Sequence, residues 1–178
     1  LQLEAAWKRL EQLMAGLKIS VEEFMYFREK EEAFQLAGVW NVPSASLGST
    51  SFSAFENLVA MIRFRNALAV APPDWFTLFD PVLSSETSGK GLFIATLTTL
   101  SNLSAEAAEF LLGPAGDADD GGALGFAFPE DYLRGESLLR VLKGHHTAHK
   151  VENSVAKLAR LTQPDLTDED ATLVKSML

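Results

Sequence analysis

The sequence predicts an all-α fold, a stack of about seven to eight helices joined as hairpins in an irregular bundle or array. Three observations lead there. Apolar residues recur at helical spacing along almost the whole chain. Ser, Thr, Asp and Pro start signals stand at the heads of these periodic runs. No stretch alternates apolar and polar residues convincingly; the best strand candidate is 92–99, with Leu92, Phe93, Ile94, Thr96, Thr98 and Thr99, and its context favours helix.

The elements follow in order. Leu3, Trp7, Leu10, Met14 and Leu17 keep a 4-3-4-3 rhythm, the seam of a first helix. Ser20 and Glu23 form a capping box, in which the serine oxygen accepts from an amide one turn on and the glutamate reaches back to the cap. That opens a second helix expected over 21–37, with Gly38 at its C′ position. Phe24, Phe27 and Phe34 mark its buried stripe. Glu22, Glu23, Glu31 and Glu32 read as its wet face, with Arg28 and Lys30 as partners.

Residues 41–51 are a loop by composition. A third helix is expected over 53–68, with Phe55, Leu58, Val59 and Ile62 inward. Pro72 and Pro73 separate it from a short apolar helix carrying Trp75, Phe76, Leu78 and Phe79, which Pro81 should end. After a loop at 84–91 come helices over 92–100 and 105–112, the latter announced by Asn102-Leu103-Ser104. The segment 113–128 holds five glycines and Asp117, Asp119 and Asp120, and reads as a mobile loop or internal boundary. Pro129-Glu130-Asp131 opens a long helical stretch to 161, its seam built from Val141, Gly144, Ala148, Val151, Val155 and Leu158. Gly135 or Gly144 is the expected break. Thr167-Asp168-Glu169-Asp170 caps a last helix. The corners LKISVEEFMYF, LAVAPPDWFTLF, LSNLSAEAAEFLL and LTQPDLTDEDATLV repeat one loose unit, a sign of stacked hairpins.

Composition excludes several function classes. With 15 Lys and Arg against 24 Asp and Glu, the net charge is −9, which argues against nucleic-acid binding and against docking on anionic lipid. The absence of cysteine removes disulfides, thiolate nucleophiles and cysteine metal sites. No apolar run approaches the roughly 18 residues of a membrane span. At 178 residues and 47% hydrophobic content the chain reads as one α-helical domain, with 113–128 as its candidate boundary. It starts at Leu1 instead of Met and stops inside an expected helix, so it is read as a fragment of a larger protein.

Few residues suggest chemistry. His145, His146 and His149 are all the histidines, and the spacing of His145 and His149 puts two imidazoles on one helix face. The Glu of a zinc-protease helix and a third ligand are both missing, so no metal is expected. His145 and His149 sit beside the Val141–Leu158 seam, where such side chains commonly rim a core; the alternative is that His145, His146 and His149 form a pH-sensing cluster, since imidazoles titrate near neutrality. A calcium loop starting at Asp117 would carry Gly121 at its fifth position and Phe128 at its twelfth, which leaves coordination incomplete. Gly89-Lys90 lacks the frame of a phosphate-binding loop. Arg63 and Arg65 read as surface salt-bridge formers. No catalytic residue and no cofactor site is expected.

One longer stretch is more specific. Leu17-Lys18-Ile19-Ser20-Val21-Glu22-Glu23 begins a leucine-rich corner; Val42-Pro43 sits in the loop after the aromatic helix; Phe55-Glu56-Asn57-Leu58 leads to Arg63-Phe64-Arg65. LFDPV, LTTLSNLSAEAAEFLLG and LARLTQPDLT then follow in order. This succession, from about residue 10 to 178, resembles the α-helical region of the A component (TcA-type) of bacterial insecticidal and virulence toxin complexes. The loop at 113–128 is longer than the family pattern. The resemblance implies a secreted or cell-surface parent that assembles as a pentamer, attaches to host cells, forms a pore and delivers a toxic payload. This stretch would then be non-catalytic shell scaffold, contacting other regions of the parent chain, without itself inserting in membrane. The alternative is an unrelated α-helical protein–protein interaction module, an adaptor working through a helix groove.

Overall fold

A computed structural model describes residues 2–40, 49–68, 73–84, 87–152, 154–161, 165 and 167–177. Nine α-helices and three 3-10 turns account for most of them, and no strand occurs among the described residues. The fold is all-α. The helices are α1 (Gln2–Leu17), α2 (Val21–Glu29), α3 (Ser49–Ala67), α4 (Asp80–Leu83), α5 (Thr87–Ser101), α6 (Ala105–Leu112), α7 (Gly135–Lys150), α8 (Val155–Leu161) and α9 (Asp168–Met177). The 3-10 turns span Trp75–Phe79, Gly122–Leu124 and Glu130–Leu133.

Local signals place the caps well. The Ser20–Glu23 box forms in both directions: Glu23 N–H donates to Ser20 Oγ at 3.2 Å, and Ser20 N–H donates to Glu23 Oε2 at 2.8 Å. Ser104 caps α6, accepting from Ala107 N–H at 3.2 Å. Thr167 and Asp170 cap α9 reciprocally.

Several boundaries differ from expectation, each for a packing reason. α2 stops at Glu29, well short of 37. Phe34 and Leu36 are both fully buried, and residues two apart on one helix point to opposite sides, so the chain must leave the helix to bury both. Gly38 has a φ of +86° in a later turn and is not the cap of α2. The loop expected at 41–51 is shorter on its C-terminal side, because α3 already begins at Ser49; positions 41–48, with Val42-Pro43, lie outside the described residues. Pro81 does not end a helix but sits in the first turn of α4, where its missing N–H costs nothing. α5 starts at Thr87 and so takes up part of the expected loop. The long stretch 129–161 divides at Gly135 and again between Lys150 and Val155, while Gly144 continues the helix.

One core joins both ends of the chain. Aromatic rings run through it in mostly edge-on contacts: Phe27–Phe34 at 5.1 Å, Phe34–Phe79 at 5.2 Å, Phe79–Phe93 at 6.3 Å and Phe93–Tyr132 at 5.0 Å. The most extensive helix contact is between α3 and α7. It depends on a small residue: a Cβ at Gly135 would sit 2.5 Å from the Asn57 carbonyl oxygen and 2.6 Å from the Ala60 Cβ. Asn57 completes the joint, donating from Nδ2 to the Phe34 carbonyl at 2.6 Å and accepting from Gly135 N–H at 2.6 Å. From α1, Leu13 and Leu17 pack on the core. Among the described residues no helix is long and apolar enough to cross a membrane.

Candidate functional site

An open groove of about 690 Å³ runs along α3 from Phe52 to Arg63, beside the first turns of α7. Its apolar lining is Phe52, Phe55, Val59, Ala60 and Leu139. Phe52 is 53% exposed, unusual for so large an apolar side chain, and Phe55 and Val59 are only half-buried. Sequence periodicity placed Phe55, Leu58, Val59 and Ile62 inward together. The structure buries Leu58 and Ile62 and turns Phe55 and Val59 to the groove. Glu56, Arg63, Arg134 and Glu136 also line it. Arg134 pairs with Asp131 at 3.7 Å, while Glu56, Arg63 and Glu136 make no ion pair among the described residues. The groove therefore offers apolar contact area and charges of both signs.

On the opposite side of α3 the chemistry is closed. Arg65 Nη1 lies 2.6 and 2.8 Å from the two Glu23 oxygens, with Glu23 buried and Arg65 nearly so. The Trp75 indole N–H also donates to Glu23, and Arg65 reaches the Lys18 carbonyl at 3.2 Å. This corrects two expectations. Glu23 is not on a wet face, and the Arg65 pair is not a surface bridge. The tertiary fold brings Trp75 and Arg65 over the α2 cap, and neither is near it in sequence. Beside this corner runs a smaller, mainly apolar cleft of about 440 Å³ edged by Ser20, Glu22, Pro73, Asp74 and Phe76.

The three histidines are not equivalent. His145 Nε2 lies 2.7 Å from the Ser101 carbonyl, which can only accept, so that nitrogen carries the proton. The His149 ring is 5.4 Å away, edge-on. His146 lies further round α7 and is exposed. Burial holds the His145 pKa below its ordinary value, and the neighbouring His149 and His146 charges push the same way.

The acidic glycine loop is bound to α5 and α6 by features that sequence reasoning missed. Lys90 is fully buried, and its ammonium donates to the carbonyls of Asp117 at 2.6 Å and Asp120 at 2.5 Å. The aspartates shape the turns: Asp117 Oδ1 accepts from Asp119 N–H at 3.0 Å, and Asp120 Oδ1 accepts from Gly122 N–H at 2.8 Å. Among the described residues no group of three or more His, Asp or Glu is placed to hold a metal ion. The available signal was Lys90 itself, a lone cation between two glycines in an otherwise uncharged apolar helix.

Fold and site together define an all-α protein with one shared core, an open helix groove and a closed polar corner. No protein-family model, no curated protein and no solved structure matches the chain.

Proposed function

We propose that this chain is a non-catalytic helical scaffold segment that takes an amphipathic helix of its own larger parent into the α3–α7 groove. The groove carries the reading. It presents Phe52, Phe55, Val59 and Leu139 as an apolar floor, and its rim holds Glu56, Arg63 and Glu136 without ion-pair partners among the described residues. A helix with an apolar stripe flanked by both charge signs is the complement of such a surface. The narrower reading, a shell segment of a pentameric pore-forming toxin-complex subunit, rests on the ordered motifs from Leu17-Lys18-Ile19-Ser20 to LARLTQPDLT.

A photo-crosslinking amino acid at position 52 of the parent protein tests the groove. The expected product is a crosslink to another helix of the same chain or of a neighbouring subunit; no crosslink above that of an exposed control site overturns the reading. Electron micrographs of the parent test the narrower form, where five-fold rings are expected and a stable monomer overturns it. An adaptor would instead bind a free amphipathic peptide in trans, with loss of binding on Phe52→Asp.

A further inference from the structure

We propose that the segment 113–128 is a strap over the core aromatics, closed by Lys90 acting as a tethered cation. This goes beyond the scaffold reading and does not depend on it. The geometry on the helix side is specialised. Lys90 stands between Gly89 and Gly91 in α5, and both glycines allow close approach: a Cβ at Gly89 would lie 2.1 Å from the Pro81 carbonyl oxygen, and one at Gly91 3.2 Å from that of Ala115. The chain on either side can thus close around the lysine stem.

The loop side is equally specialised. The two carbonyls that receive the ammonium belong to Asp117 and Asp120, and the side chains of those same residues fold the turns that aim them. Gly113 leaves room at the crossing, where a Cβ would sit 1.9 Å from the Asp120 carbonyl oxygen and 2.9 Å from Lys90 Nζ. Its φ of +85° is one that few residues other than glycine adopt. A buried ammonium is costly unless its donors are satisfied, so the loop carbonyls and the lysine need each other. Asp120, Asp117 and Glu109 supply the compensating negative field.

The strap has something to cover. Phe126, on the loop, is buried against Tyr132 at a ring distance of 6.1 Å, and Phe128 meets the same ring at 5.3 Å. Tyr132 in turn leans on Phe93 of α5 at 5.0 Å. Opening the strap would bare this aromatic surface. Arg140 of α7 is a second tether, donating to the Leu124 carbonyl at 2.6 Å and lying over the Phe126 ring, whereas the α3–α7 joint rests on Asn57 and Gly135.

Backbone hydrogen exchange tests this in three chains: the parent sequence, Lys90→Met, and the double variant Asp117→Ala/Asp120→Ala. Methionine keeps the length of the stem and removes the charge; the double variant alters only exposed side chains. Both are expected to exchange the amides of 121–126 at least tenfold faster, with the amides of α3 unchanged. Unchanged protection of 121–126 in Lys90→Met overturns the proposal, because the lysine stem together with Arg140 would then hold the loop without the ammonium. Equal acceleration in α3 overturns it as well, because Lys90 would be a keystone of the whole fold. Unchanged protection in the double variant shows that the aspartate turns do not aim the carbonyls, and also overturns it.

Discussion

Arg63 and Arg65 sit two residues apart on α3 and have opposite fates. Arg65 is sealed between Glu23, Trp75 and the end of α1, whereas Arg63 is exposed at the mouth of the α3–α7 groove. Successive helical residues turn by about 100°, so a spacing of two places them on nearly opposite sides. One side of the helix thus serves the fold and the other side is open for contact. The lesson is that a basic pair in a sequence says little about role until the faces of its helix are known.

The comparison predicts its largest effect on the closed side. Arg65→Ala leaves the Glu23 carboxylate buried without its cation and should cost about 3–5 kcal/mol in urea unfolding. The pair Glu23→Leu with Arg65→Met should lose less than the sum of the two single changes. A loss from Arg65→Ala no greater than that from Arg63→Ala would break the contrast outright.

The joint that holds groove and core together comes next. Gly135→Ala pushes a methyl against Asn57 and Ala60 and should cost about 1–3 kcal/mol. An unchanged melting temperature would show that α3 and α7 have slack at their crossing. Tyr132→Phe removes the hydrogen bond from the tyrosine hydroxyl to the Leu112 carbonyl, 3.1 Å long, and should cost about 1 kcal/mol.

A smaller effect follows from His145. Its pKa is lowered in the folded chain, so below the ordinary value of 6.5 the unfolded chain binds more protons at this site. Stability should therefore fall as pH drops from 7 towards 5, and the penalty should level off below the folded pKa. His145→Gln should flatten that slope in denaturant melts recorded across the range, while His146→Gln, on an exposed ring, should change it much less. An identical slope in His145→Gln would remove the histidine from the account. The smallest expected change is on the open side: Arg63→Ala and Phe52→Asp should each shift stability by no more than about 0.5 kcal/mol. If Phe52→Asp unfolds the chain, the groove is part of the core and the contrast drawn from α3 is wrong.

Much of the fold was legible from local signals. The Ser20–Glu23 box, the Ser104 cap, α6 in full and the Thr167 start depend on atoms within a turn of one another, and periodicity alone finds them. The end of α2 was not legible, because it is decided by the burial of Phe34 and Leu36 against partners far along the chain. The groove was half visible. Phe55, Val59 and Arg63 all drew notice, but their sharing one open face depends on where α7 crosses α3. Lys90 was noticed only to exclude a phosphate loop, since its partners lie 27 and 30 residues away.

What the sequence alone determined is the class of the molecule: an acidic, cysteine-free, all-α chain in which α2, α6 and α9 start at their caps. Those properties come from short-range hydrogen bonds and from the period of apolar residues, and both act before any helix meets another. Only the tertiary structure decided that Glu23 is buried, that Arg65 and not Arg63 closes on it, and that Lys90 holds the acidic loop. Each of those is a charge taken from water, and whether that is tolerable depends on groups that the fold alone brings within reach.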